Sequence, residues 1–364
     1  MIFPEFCLER WQSLRDWRAR YNLSESGVEP LTLRELIEVV GFPERVELGY
    51  GMTKGLPELR SAIAGIHGVD AEEVMVTAGG AEANFVSTAA LMGPGDVAVV
   101  VMPTYMQIPG VLRALGARVE KVWIKYGSGL DVEALKEKVR RGVRAVFVTN
   151  PNNPTGYYLS EEERRALLDL ARDAGAYLVV DEVYRGLEHE GAESPTFAGR
   201  YERAVVTGSL SKVYGLAGLR IGWVVGPREV VDKAWSVKDY TTISPPVLDQ
   251  RLAVGVLEKR DFFVRRAREI VRRNFAIFQS YVAGRIYVKW WNTKSAAFAY
   301  IYVGGDTMKL AEEIFDETGV LVNPGECFEM PGYLRVGLGW ADEKKLREAL
   351  DLFFTALDKL AGRR

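Results

Sequence analysis

Lys212 lies in "TGSLSKVYGLAGLRIGW" (207–223), between Ser209 and Ser211 on one side and Arg220 on the other. Hydroxyls, cations and glycines in so short a run suit a phosphate, and the lysine could grip it or do chemistry beside it. The run fails the GxxxxGK[ST] pattern, because Ser211 rather than glycine precedes Lys212, so a P-loop nucleotide site is disfavoured. Three other stretches hold groups that could act with it. "VTAGGAEANF" (76–85) ends an apolar run in Gly79 and Gly80 and opens a helical pattern, whose first N–H groups attract anions. "VVDEVYRG" (179–186) sets Asp181 directly after another apolar run, with Tyr184 close behind. "NPNNPTG" (150–156) is a rigid turn able to aim Asn153 into a site. Taken singly, each has an ordinary structural role: helix start, N-cap or ion-pair partner, plain turn.

The elements that must position these residues are legible. From about residue 56 to 226, helical patterns alternate with short apolar runs: "EVMVTAGG", "DVAVVVMP", "RVEKVWI", "RAVFVTN", "AYLVVDE", "RAVVTGS" and "IGWVVG". Such alternation predicts βα units on a largely parallel sheet buried on both faces, with ligands at the carboxyl ends of its strands. Helices are expected at 81–92, 131–141 and 161–174, the last opened by a Ser160/Glu163 capping box. A long amphipathic helix follows over 246–283, broken near Arg260-Asp261, then strands at 296–303 and 333–338, a helix at 307–318 and a closing helix at 342–360. The expected organisation is an α/β large domain, 46–245, and a smaller α+β domain formed by 1–45 and 246–364.

Composition excludes several classes. At 364 residues, 48% hydrophobic and 26% charged, with formal net charge −2, the chain has neither a basic field for nucleic acid nor a membrane composition. Its two histidines, His67 and His189, fall in no metal-ligand pattern, so no metal site is expected. The charged start "MIFPEFCLERWQSLRDWRAR" is no signal peptide, and no apolar run spans a bilayer. Cys7 and Cys327 cannot make a disulfide framework; they are expected as packing residues, which suggests a cytoplasmic protein. Scarce glutamine beside abundant Arg and Glu hints at a thermophile.

Pyridoxal 5′-phosphate is the one ligand that would use every part: phosphate, aldehyde, pyridine nitrogen, phenolic oxygen and ring face each want one of these groups. The chain resembles fold type I, class I/II pyridoxal-phosphate-dependent aminotransferases nearly end to end. By that resemblance Lys212 is the Schiff-base lysine, Arg220, Ser209 and Ser211 hold the phosphate, and Gly79, Gly80 and Ala81 form its cup. "DEVY" implies Asp181 for the pyridine nitrogen and Tyr184 for the phenolic oxygen, with Asn153 of "NNPTG" as its second partner. Tyr105 of "MPTY" would stack on the ring. Tyr50 of "LGYGMTKG" would reach the phosphate of the partner subunit across a homodimer with shared active sites. Arg335 of "GYLRVGLGW", downstream of "GVLVNPGECF", would clamp the substrate carboxylate, and Gly27 is placed beside it.

The implied chemistry exchanges an amino group between an L-amino acid and a 2-oxo acid, with Lys212 as general base. The sequence departs from the family pattern where substrate would sit. "LSESGVEPLTLREL" replaces a GxPDF-like turn, and "VKWWNTKSAAFAYIYV" lacks a Pro-x-Gly-Gly turn. The first of these is similar to a subgroup that includes capreomycidine synthase, so a β-lyase or a cyclising enzyme stands as the alternative. An aminotransferase-like regulatory protein is a remote third, since the chain starts on the family's own N-terminal segment. Arg15, Lys54, Trp290 and Trp291 are candidates for reading the substrate side chain.

Overall fold

The computed structural model describes residues 2–361. In chain order the elements are α1 Cys7–Ser13, β1 Tyr21–Asn22, α2 Leu33–Val40, α3 Pro57–His67, β2 Val74–Thr77, α4 Gly80–Leu91, β3 Val97–Met102 and α5 Gln107–Ala114. Next come β4 Arg118–Lys125, β5 Gly129–Leu130, α6 Val132–Lys138, β6 Val143–Thr149, α7 Glu161–Ala174, β7 Tyr177–Asp181, β8 Ala204–Ser209 and β9 Gly222–Val225. The chain closes with α8 Arg228–Lys238, α9 Val247–Glu258, α10 Arg260–Val282, β10 Lys289–Trp290, β11 Phe298–Tyr302, α11 Thr307–Thr318, β12 Val320–Leu321, β13 Asn323–Pro324, β14 Tyr333–Gly337 and α12 Glu343–Ala361.

All seven apolar runs are strands of one eight-stranded sheet ordered β2-β9-β8-β7-β6-β3-β4-β5. Its centre is parallel, as βα alternation requires, and β7 and β8 are buried along their whole length because helices cover both faces. The fold is α/β, as the alternation of patterns predicts. Two features go beyond the sequence expectation. Strand β9 runs antiparallel to both its neighbours, and β5 adds a short antiparallel edge. A hairpin return of that kind leaves no trace in an apolar run, because direction is set by the path of the loop and not by composition.

The second sheet is antiparallel, β10-β11-β14-β13; α11 packs on β13 and β14, and Phe275 and Phe278 of α10 pack on Trp290 of β10. The N-terminal segment belongs here too, since β1 pairs with β12 and Trp11 Nε1 donates to Val322 O at 2.9 Å. The break in the long helix falls at Lys259, and the Ser160/Glu163 capping box is formed.

One expectation is overturned. Cys7 and Cys327 are not separate packing residues; they form a disulfide across a sequence separation of 320. Spacing could not announce it, because the pair meets only when α1 folds back onto the 3₁₀ turn Gly325–Phe328. The inference of a cytoplasmic location therefore loses its premise. No helix among the described residues is long and apolar enough to cross a membrane, and none of their His, Cys, Asp and Glu side chains cluster as a metal site.

Candidate active site

Strand ends build the floor of one cavity of about 260 Å³. Asp181 closes β7, Ser209 closes β8, and Lys212 follows in the loop that leads to β9. Asn153 comes from the turn after β6, and Gly80 and Ala81 open α4. Tyr105, Tyr184, Ser211, Arg220 and Arg335 line the same cavity. The structure thus gathers eleven of the residues singled out from the sequence, drawn from six separate stretches of chain.

Asp181 is buried, and each of its oxygens is already held by one N–H. Asn84 Nδ2 donates to Oδ2 at 2.9 Å and the Val183 amide donates to Oδ1 at 3.0 Å. Burial nevertheless raises its pKa, because the charged form is poorly solvated there. A cationic partner would bring it back down. Asn84 itself is fixed from behind by Thr207 Oγ1, which donates to its Oδ1 at 2.6 Å. Asn84 was not among the residues the sequence suggested, although a buried amide on the small-residue helix α4 is the kind of signal that could have marked it.

Lys212 has its pKa lowered, first by burial and then by the charges of Arg335 and Arg220, while Glu25 and Glu9 oppose the shift. Its backbone is clamped, the Val28 amide donating to Lys212 O at 3.1 Å. Gly27 packs against that backbone, and a Cβ on it would sit 3.1 Å from both Lys212 Cα and Ser211 O. Gly27 is therefore beside the lysine rather than on the cavity wall.

An anion cradle is formed where α4 begins. Gly79 has φ +86°, a conformation that side chains rarely adopt, and a Cβ there would lie 2.4 Å from an Arg220 guanidinium nitrogen. Gly222 of β9 lets the strand run against the same turn, since its Cβ would fall 2.4 Å from the Gly79 carbonyl carbon. Arg220 adopts φ 48°, and its guanidinium donates to the carbonyls of Ala217 and Ala78. Helix N–H groups, Ser209, Ser211 and an arginine converge on one spot, which is what a phosphate requires.

Arg335, on β14, enters from the second sheet. It is 2% exposed, donates to Asn153 Oδ1 and to Ser24 O at 2.7 Å each, and lies 5.3 Å from the rings of both Phe298 and Phe328. Its Nε has no hydrogen-bond partner among the described residues. A buried guanidinium with an open N–H is suited to a carboxylate. Because Arg335 occupies Asn153 Oδ1, the amide Nδ2 of Asn153 is the group left to donate elsewhere. Tyr184 Oη donates to Ser26 Oγ at 3.0 Å, and burial pushes its phenol up to about 12.

The remaining candidates are placed elsewhere or otherwise engaged. Tyr50 is 89% exposed and away from this cavity, alongside exposed Leu48 and Met52. Arg15 is paired with Glu312, and Lys54 with Asp232 and Glu72. Trp290 and Trp291 pack in the second-sheet region and do not line the cavity. The sequence had instead missed Leu8, Glu9 and Gln12 of α1, Glu25 and Ser26 of the following loop, and Gln107 of α5.

Comparison with known proteins is consistent along nearly the whole chain. Residues 44–353 match the family model "Aminotransferase class I and II". The chain is 31% identical to aspartate/prephenate aminotransferase of Thermus thermophilus, over 93% of this chain and 94% of that protein. It is likewise 31% identical to capreomycidine synthase of Streptomyces vinaceus, over 92% of this chain and 89% of the relative. A solved PLP-dependent aminotransferase from Streptococcus suis superposes with a TM-score of 0.93 at 29% identity, covering 99% of both chains. The PLP-dependent cyclase OrfR does so with a TM-score of 0.92 at 27% identity, covering 99% of this chain and 98% of the other.

Proposed function

The chain belongs to the class I and II aminotransferases, fold type I enzymes that depend on pyridoxal 5′-phosphate, and from that premise we propose that it exchanges an amino group between an L-amino acid and a 2-oxo acid. The observation that supports this proposal is Arg335, a buried guanidinium that lines one cavity with Lys212 and Asp181. An acid, an amine and a carboxylate clamp around one pocket are the set that amino-acid chemistry on this cofactor needs.

The residues fit the cofactor. Arg220, Ser209, Ser211 and the N-terminus of α4 would hold the phosphate, Asp181 the pyridine nitrogen, Asn153 Nδ2 and Tyr184 the phenolic oxygen, Tyr105 the ring face and Lys212 the aldehyde. When bound, the cofactor supplies an electron sink for the breaking Cα–H bond. Arg335 orients the substrate by its carboxylate, which sets the Cα–H bond toward the lysine. Lys212 Nζ then takes the Cα proton; burial and the neighbouring arginines favour the neutral amine that this step needs. Asp181, ionised opposite a cation, stabilises charge at the far side of the ring. The proposal includes a homodimer, with Tyr50 of the exposed segment Leu48–Met52 reaching the partner's phosphate site.

A second reading has its own support. The similarity to a cyclase in fold and to capreomycidine synthase in sequence favours chemistry in which the same deprotonation leads to ring closure. Incubating the cofactor-loaded protein with amino acids and 2-oxoglutarate separates the two. Glutamate appears only by amino transfer, so consumption of the amino acid without glutamate would overturn the first reading.

A further inference from the structure

Ser26 stands in "LSESGVEPLTLREL" (23–36), where the chain departs from a GxPDF-like turn. It is buried, it lines the cavity, and its Oγ accepts the hydrogen of Tyr184 Oη at 3.0 Å. The phenol is held in place, because the buried Tyr184 ring meets Phe298 edge-on at 5.5 Å between centroids. Ser26 is fixed from both sides. Before it, Ser24 O accepts from Arg335 and Asn323 at 2.7 Å each and from Gln12 at 2.9 Å. After it, Gly27 packs on the Lys212 backbone, and the Val28 amide donates to Lys212 O at 3.1 Å. The segment 24–28 thus pins one hydroxyl against one phenol.

A hydroxyl has one hydrogen to give. Tyr184 gives its hydrogen to Ser26, yet a phenolic oxygen of the cofactor would need that same hydrogen. Both bonds form only if the Tyr184–Ser26 bond reverses, with Ser26 Oγ donating to Tyr184 Oη and Tyr184 Oη donating to the cofactor. Ser26 is able to reverse, because its Oγ donates to no acceptor among the described residues and its proton can turn about the Cβ–O bond. Two such bonds in a row polarise each other, which strengthens the donor that reaches the cofactor. The electrostatics agree: burial pushes the Tyr184 phenol up to about 12, and Arg335 and then the Ser26 hydrogen bond act against that rise.

We propose that Ser26 is a positioning residue that acts through Tyr184: its hydroxyl donates to Tyr184 Oη, which turns the Tyr184 hydrogen onto the phenolic oxygen of pyridoxal 5′-phosphate and favours negative charge there. This inference rests on the placing of Tyr184 at that oxygen in the proposed function.

The test is the pH titration of the visible absorbance of the lysine-bound cofactor, read on the loaded protein without substrate. A donor at the phenolic oxygen stabilises the deprotonated form, in which that oxygen carries the larger negative charge, so losing the donor moves the midpoint up. Ser26→Ala should raise it by about half to one pH unit, the scale of one hydrogen bond. Ser26→Thr keeps the hydroxyl and should stay near the parent midpoint. Tyr184→Phe should raise the midpoint further, and adding Ser26→Ala to it should change nothing more, because the serine acts only through the phenol. A serine that merely satisfied a buried phenol would leave the titration of Ser26→Ala where the parent has it. That result, beside a raised midpoint in Tyr184→Phe, would overturn the proposal and leave the role of Tyr184 standing. An unmoved midpoint in Tyr184→Phe itself would overturn that role and the proposal with it. A further rise in the double variant would mean that Ser26 acts by another route, and it too would defeat the proposal.

Discussion

The two ends of the cavity are made differently. At the cofactor end, Asp181, Ser209 and Asn153 stand at the ends of adjacent parallel strands, each fixed by a sheet buried on both faces. Away from those strand ends, Glu9 and Gln12 line the cavity from a seven-residue helix, and Arg335 comes from a second sheet. What ties that end together is long-range: the Cys7–Cys327 disulfide, Trp11 on Val322, and Arg335 on Ser24. The contrast is between residues fixed locally by one rigid sheet and residues held by contacts between distant parts of the chain.

If that division holds, damage at the cofactor end should affect rate and damage at the substrate end should affect affinity. The largest effect belongs to Lys212→Ala, which removes the group that moves the proton. Amino transfer should fall by at least ~10²–10⁴-fold, and the absorbance of the lysine-bound cofactor should vanish. A variant retaining both would break the assignment of the whole cofactor end.

Next comes Asn84→Ala, which strips Asp181 of one of its two donors. A hydrogen bond to a charged group contributes about 1.5–3 kcal/mol, so turnover should drop by roughly tenfold or more with little change in KM for the amino acid. An increase in KM alone would show that Asn84 belongs functionally to the substrate end.

Cys7→Ser sharpens the other half of the comparison. Loss of the link should lower unfolding free energy by about 2–5 kcal/mol, measured by denaturant titration. Because α1 lines the cavity and lies against the strand that carries Arg335's neighbours, KM for the amino acid should rise several-fold while the cofactor spectrum stays unchanged. A changed spectrum with unchanged KM would reverse the expected order.

The smallest effect concerns a buried relay behind the sheet. Trp223 Nε1 donates to His67 Nε2, His67 Nδ1 contacts Thr196 Oγ1, and Thr196 Oγ1 donates to Glu182 Oε2. Burial lowers His67 from 6.5 to about 3 and raises Glu182 from 4.5 to about 7. The depressed histidine contributes stability present above pH 6.5 and lost as pH falls toward 3. The raised glutamate contributes stability present below pH 4.5 and lost as pH rises toward 7. Between pH 4.5 and 6.5 the two slopes oppose each other. Glu182→Gln leaves the histidine alone, so this variant should lose stability on acidification through that window by up to about 1.4 kcal/mol per pH unit. Thermal melts showing a flat profile in the variant would refute the neutral state of His67.

Particular residues show why one end was legible and the other was not. Lys212, Asp181, Asn153 and Gly79 each sit beside a strand run or a turn whose local pattern marks where a ligand can approach. Glu9 lies in a short charged helix that looks like any solvated face, and Cys7 gives no hint of Cys327. Lys54 and Arg15 had the right chemistry for a substrate carboxylate, yet ion pairs with Asp232 and Glu312 claim them. Asn84 is an intermediate case, since it lies just beyond the glycines of a recognised stretch but needs Thr207 and Asp181 to give it a purpose.

By itself the sequence determined the α/β alternation, the ends of the strands and the residues grouped there. Strand periodicity and turn chemistry are local properties, and ligand groups at strand ends inherit that locality. Only the tertiary structure decided the antiparallel course of β9, the disulfide, and the meeting of Asn84 with Asp181 and of Arg335 with Asn153. Those outcomes depend on which distant groups meet in space, and a pairing across some three hundred residues leaves no mark on the composition of either partner.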